Sequence, residues 1–124
     1  RKPGMHTLDT ETGEILWSTI TDKECKEIDT NCDPGISAAV TAVPGAVIAG
    51  HLDGMIRIYD KEDGDILWSF NSLGDYESVS GTPASGGSFS GSGPSVRNGY
   101  MAINSGYGIY NHMPGNALLL FSVE

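Results

Sequence analysis

An eleven-residue unit occurs twice in this chain and restricts its fold more than any other feature. Residues 7–17 read TLDTETGEILW, and residues 58–68 read IYDKEDGDILW. Asp9, Gly13, Ile15, Leu16 and Trp17 recur as Asp60, Gly64, Ile66, Leu67 and Trp68, at an offset of 51 residues throughout. Each copy places an acidic, glycine-closed turn between two apolar stretches. That is the pattern of an antiparallel hairpin whose second strand carries tryptophan.

A repeat of this period falls in the range of propeller blades and well above ankyrin or leucine-rich units. The second unit reads strand by strand. Ala46 to Ala49 is a short apolar run, Asp53-Gly54 closes it with a hairpin signal, and Met55 to Tyr59 alternates around Arg57. Asp60 to Gly64 forms the next turn, and Asp65 to Phe70 the next strand. Three antiparallel strands joined by minimal turns build most of one blade. Lys2-Pro3-Gly4 and the strand Met5 to Leu8 precede the first tryptophan, so the chain begins in mid-blade. Tyr100 to Asn104 and Ala117 to Val123 form two further strands around a longer loop, residues 105–116. The expected fold class is therefore all-β: a partial propeller of about two to three four-stranded antiparallel blades over residues 1–124, with boundaries near 22–45 and 71–99. A blade without neighbours leaves faces and edges open, and the chain alone is not expected to fold stably.

Composition narrows the partners. The chain of 124 residues carries 16 Asp and Glu against 7 Lys and Arg, a net charge of -9. That charge disfavours nucleic acid and anionic lipid as partners, because both require clustered Lys and Arg. The acidic residues are spread through turns as a solvating surface. With 17 Gly and 6 Pro, turns are frequent and long helices are not expected. No apolar run is long enough to span a membrane, and no secretory signal stands at Arg1, although one could have been removed or lie upstream.

Asp60 to Asp65 superficially suggests a calcium loop, but the glycine is fifth where an EF-hand requires it sixth, so a hairpin turn is the reading. His6, His51 and His112 fall in three different blades, and no metal ligands are assigned. Cys25 and Cys32 flank a polar segment. A loop disulfide between them fits an oxidising compartment, and two free thiols on a loop are the alternative.

The pattern Thr7-x-Asp9-x-x-Thr12-Gly13-x-x-x-Trp17 resembles the tryptophan-docking motif of quinoprotein dehydrogenases. The second copy keeps Asp60, Gly64 and Trp68 but has Ile58 and Asp63 where that motif favours Ala and Thr. In that family each such tryptophan lies between neighbouring blades, which makes Trp17 and Trp68, with Asp9, Asp60, Gly13 and Gly64, structural residues. Cys25, Cys32, Ser37 to Pro44, Gly81 to Pro94 and the tail SGYG…PGN-x-L-L-x-F-S further resemble the C-terminal propeller of polyvinyl-alcohol dehydrogenase-like quinoproteins. Ser78-Val79-Ser80-Gly81 departs from the Thr-Val-Asn-Gly expected there.

The resemblance implies a periplasmic or secreted parent that oxidises small or polymeric alcohols with pyrroloquinoline quinone (PQQ) and calcium. A cytochrome-type protein is its implied electron acceptor, and the remaining blades of the parent are this chain's partners. No catalytic base is nominated, so the parent is expected to be an enzyme and the segment alone to be inactive. Two glycine-rich loops, 81–94 and 105–115, are too long for simple blade turns. The resemblance places Ser105, Gly106, Tyr107 and Gly108 near the cofactor face, where backbone N–H groups would meet the quinone and Tyr107 its rim. The alternative for these four is an ordinary surface loop. A non-catalytic propeller scaffold at the cell envelope is the alternative for the whole.

Overall fold

A computed structural model describes residues 2–21, 32–108 and 110–123. Among them there are strands and turns but no helix. The first sheet pairs β1 (Gly4–Leu8) with β2 (Ile15–Ile20). The second is a complete four-stranded meander of β3 (Thr41–Val43), β4 (Ala46–Gly50), β5 (Met55–Asp60) and β6 (Ile66–Asn71), in that spatial order. A separate hairpin, β7 (Gly74–Glu77) with β8 (Pro83–Gly86), follows. The last sheet contains β9 (Ser95–Arg97), β10 (Tyr100–Ser105) and β11 (Ala117–Ser122). All pairings are antiparallel, and none of these sheets closes into a barrel. The architecture is a partial β-propeller.

The two repeats fold alike down to individual bonds. In the first turn, Asp9 N–H donates to Glu14 C=O and Gly13 N–H to Asp9 C=O, each at 2.8 Å. In the second, Asp60 N–H donates to Asp65 C=O at 2.7 Å and Gly64 N–H to Asp60 C=O at 2.9 Å. The aspartates cap their turns: Asp9 Oδ1 accepts from Glu11 and Thr12, and Asp60 Oδ1 accepts from Glu62. Those backbone bonds hold the Asp9 carboxyl below its ordinary pKa. Thr12 and Asp63, which differ between the copies, do the same work, each accepting from the N–H two residues on. A register shift also falls at the equivalent place, between Thr7 and Leu8 and between Ile58 and Tyr59.

Two apolar clusters join the sheets. Met5 and Trp17 pack with Ala49 and Tyr59 between the first and second sheets. Ile48 and Ile56 pack with Met101 and Ile103 between the second and third, with Phe89 from the intervening connection filling the centre. Each cluster removes apolar surface from water that a lone sheet would leave exposed.

Alternation of strand direction sorts the connections into two groups. The turns 9–14, 44–45, 61–65 and 98–99 leave from one end of the sheets. The connections 21–40, 51–54, 72–94 and 106–116 leave from the other. The long connections 72–94 and 106–116 and the described ends of 21–40 therefore share a single face.

Candidate functional site

The long connections are bonded to one another rather than only to their own strands. Three serines form the centre: Ser72 and Ser88 from the 72–94 connection and Ser105 from the end of β10. Ser72 and Ser105 are fully buried, Ser88 is 1% exposed, and Ser72 Oγ lies 2.8 Å from Ser105 Oγ. Ser72 Oγ also donates to Gly54 C=O. Ser105 Oγ accepts from Gly87 N–H at 2.9 Å. Ser88 Oγ donates to Leu52 C=O and accepts from Met113 N–H. Buried hydroxyls of this kind are satisfied internally and fix the loops they join.

Asn116 adds a fourth tie. Its amide oxygen accepts from Ser85 N–H at 2.8 Å, and its own N–H donates to Ser85 C=O at 2.7 Å. The β7–β8 hairpin is thereby fastened to the 106–116 connection. On the other side, Leu52 N–H donates to Gly35 C=O, and Thr21 Oγ donates to Pro34 C=O.

A second buried polar group stands behind this face. His51 and Tyr59 are fully buried, with Asp53 and Arg57 nearly so. Pro34 C=O can only accept, so His51 Nδ1 carries the proton it donates at 2.9 Å. His51 Nε2 then accepts from the Tyr59 hydroxyl at 2.8 Å. Burial pulls the imidazole down to about 4, with the neighbouring Arg57 charge acting the same way. Arg57 pairs with Asp53 through both nitrogens, at 3.2 and 2.7 Å.

The four residues expected at a cofactor face divide into two pairs. Ser105 and Gly106 are buried and committed to the scaffold, Gly106 N–H donating to Ser88 C=O at 2.9 Å. Gly106 has φ +93°, and a Cβ there would stand 2.1 Å from Gly115 Cα, so only glycine lets these two backbones touch. Its N–H is therefore not free to bond a quinone. Tyr107 and Gly108 are exposed instead. The Tyr107 ring is 57% exposed while its hydroxyl is held by Asn116 C=O at 2.9 Å.

The structural residues of the repeat lie at the opposite end. Trp17 donates its indole N–H to Lys61 C=O at 2.9 Å and stacks on Tyr59. Trp68 is 38% exposed, against Phe70 and edge-on to Phe121. An apolar cavity of about 450 Å³ opens beside it, lined by Ile48, Ile58, Tyr100 and Phe121 among others. Cys25 lies outside the described residues, and so does the pairing expected for it with Cys32. Among the described residues no group of three His, Cys, Asp or Glu side chains could hold a metal ion, and no helix is long and apolar enough to cross a membrane.

Ser72, Ser88, Asn116 and the His51–Tyr59 pair were not legible as site-forming residues. Serine and asparagine in glycine-rich segments signal turns, and nothing local reveals that three such segments meet.

No family model matches the chain. Over 99% of its length it is 36% identical to a polyvinylalcohol dehydrogenase of a Pseudomonas species. Over the same share it is 33% identical to a polyvinylalcohol dehydrogenase of Sphingopyxis sp. (strain 113P3). The chain spans about a fifth, 21%, of the length of each of these curated relatives.

Proposed function

We propose, for a chain related along its whole length to a segment of polyvinylalcohol dehydrogenases, that the complete protein is a PQQ-dependent dehydrogenase of small or polymeric alcohols. This segment contributes blades to its ring and part of its cofactor face. The observation that carries the reading is the gathering of the connections 51–54, 72–94 and 106–116 at one end of the sheets, bonded together through Ser72, Ser88 and Ser105. A rigid scaffold that concentrates its long loops on one face builds a binding surface there.

PQQ would supply two-electron oxidation of the alcohol carbon. Of this chain's residues, Tyr107 and Gly108 fit such a flat group. The Tyr107 ring is exposed yet held in place at its hydroxyl, and Gly108 offers backbone without a side chain. Calcium needs several oxygen ligands, commonly carboxylates, and the described residues hold no cluster of three acidic or His/Cys side chains. None of the described residues is therefore assigned to calcium. The base that takes the alcohol proton is not assigned among them either. A cytochrome-type protein is the proposed electron acceptor, and the periplasm or the cell exterior is the proposed location, the latter resting on a Cys25–Cys32 bridge.

The test is to express the complete protein, load it with PQQ and calcium, and follow dye reduction with primary, secondary and polymeric alcohols. Alcohol-dependent reduction with quinone absorbance is the expected result. Absence of both would overturn the reading in favour of a non-catalytic propeller.

A further inference from the structure

β11 pairs with β10 along one edge, and among the described residues no strand pairs with its other edge. The second sheet shows what that edge lacks. Lys61 N–H donates to Gly45 C=O at 3.2 Å, and Val123 N–H donates to Gly99 C=O at 2.9 Å, each just beyond a pair of strands. Trp17 meets Tyr59 opposite Val47, and Trp68 meets Phe121 opposite Met101. β11 therefore holds the place of β5, with Leu118 and Leu120 where Ile56 and Ile58 stand. β5, however, carries β6 on its far edge, with Phe70 opposite Ile56 and Trp68 opposite Ile58.

Bonds alternate along an antiparallel pair. The bond from Val123 to Gly99 therefore turns the N–H and C=O groups of Leu119 and Phe121 toward β10, and those of Leu118, Leu120 and Ser122 toward the open edge. At the start of the strand that edge is already taken, because Asn116 N–H donates to Ser85 C=O. The open length runs from Leu118 to Ser122. Ile56 is fully buried, whereas Leu118 and Leu120 are 68% and 67% exposed. Gly64 lies against the Trp17 ring, whereas the apolar cavity of about 450 Å³ lies beside Trp68, bordered by Ser122 and Val123. A free backbone edge flanked by exposed leucines is a template for a further strand.

We propose that this edge is a strand-addition seat, filled in the complete protein by one antiparallel strand of the same polypeptide. That strand presents a bulky apolar side chain opposite Leu118 and another opposite Leu120, and its first residues cover Trp68. The occupant follows from an interface already present, since β6 fills the corresponding seat on β5 from within the chain. The relatives extend well beyond the region this chain matches, which provides sequence for such a strand. The inference uses the fold alone and does not depend on the alcohol-oxidising reading.

The test reads amide hydrogen exchange in the complete protein, residue by residue, by mass spectrometry with electron-transfer fragmentation. A seated strand should protect the amides of Leu118, Leu120 and Ser122 as strongly as those of Leu119 and Phe121, which β10 covers. Exchange of the first three on the order of 100-fold faster than the last two would mean an open edge and overturn the seat. A photoreactive p-benzoylphenylalanine in place of Leu120 then identifies the occupant. Irradiation should give a crosslink at monomer mass, to a segment outside residues 1–124. A crosslink at dimer mass would hand the seat to a second copy and overturn the proposal, as would one confined to residues 1–124. Exchange in the unmodified protein decides the seat whether or not that variant folds.

Discussion

The indole of Trp17 lies so close on Gly64 that a Cβ added to that glycine would stand 2.3 Å from Trp17 Cε3. The two residues come from different copies of the repeat. The tryptophan within β2 rests on the glycine that closes the next blade's turn, and Thr19 Oγ donates to the same glycine's carbonyl. The repeat is thus a docking device as well as a local fold signal, with Gly64 needed twice, for its φ of +78° and for its bare face.

Gly64→Ala should accordingly destabilise the complete protein by about 2–5 kcal/mol, combining left-handed strain with displacement of Trp17. Gly81, at the tip of the β7–β8 hairpin, has φ +82° and no atom within 4 Å of where a Cβ would stand. Gly81→Ala therefore isolates the backbone contribution, at about 1–2 kcal/mol. Denaturant unfolding of both variants measures the difference. Equal losses would show that the tryptophan contact contributes nothing. Trp17→Ala, which removes a side chain only 9% exposed, should cost about 3–5 kcal/mol.

The Asp53–Arg57 pair is nearly inaccessible to solvent, with side chains 1% and 3% exposed. Removing one partner leaves the other charge buried, so Asp53→Asn should cost about 3–5 kcal/mol. Replacing both, as Asp53→Leu with Arg57→Met, should cost less than Asp53→Asn alone, since no buried charge remains. A double-mutant cycle by thermal melting reads the coupling. Strictly additive losses would mean the two side chains act independently.

His51 makes stability depend on pH. The folded imidazole is neutral, pulled down to about 4 by burial, whereas an unfolded histidine titrates near 6.5. Between those values the unfolded chain binds a proton that the fold refuses, so stability rises with pH across the window. The contribution is fully present above about pH 6.5 and is lost as pH falls toward 4, amounting to about 3 kcal/mol. Melting temperatures at pH 7 and pH 5 should therefore diverge, and His51→Gln should narrow that gap. An unaltered gap in the variant would locate the acid sensitivity elsewhere.

The blades were legible because the repeat marks them: Asp60, Gly64 and Trp68 each do in the fold what the same positions do in the first copy. Asp63 in place of Thr12 changed nothing, since both side chains accept the same type of bond. Four strands escaped. β3 and β9 are three residues long, Thr41–Val43 and Ser95–Arg97, and gain their places only by pairing with β4 and β10. β7 and β8 read Gly-Asp-Tyr-Glu and Pro-Ala-Ser-Gly, with no apolar alternation to announce a strand. What makes them a hairpin is tertiary: Asn116 bonded to Ser85, and the Tyr76 hydroxyl donating to Ser72 C=O. The candidate site was legible as a pair of suspicious loops and no further. Ser105 and Gly106 read as available groups, yet both are consumed by Ser72, Gly87 and Ser88, residues distant in sequence.

The proposed Cys25–Cys32 bridge bears on where the protein resides and is the simplest claim to check. A disulfide closing so short a loop stabilises by about 2–3 kcal/mol on the chain-entropy model. Protein isolated from its native compartment and alkylated without reduction should show neither cysteine modified. Reduction before alkylation should add two labels, and peptide mapping should place them at residues 25 and 32. The reduced form should melt several degrees lower, or shed the 21–40 connection to protease first. Labelling of both cysteines without reduction would remove the support for an oxidising compartment while leaving the blades and the loop face untouched.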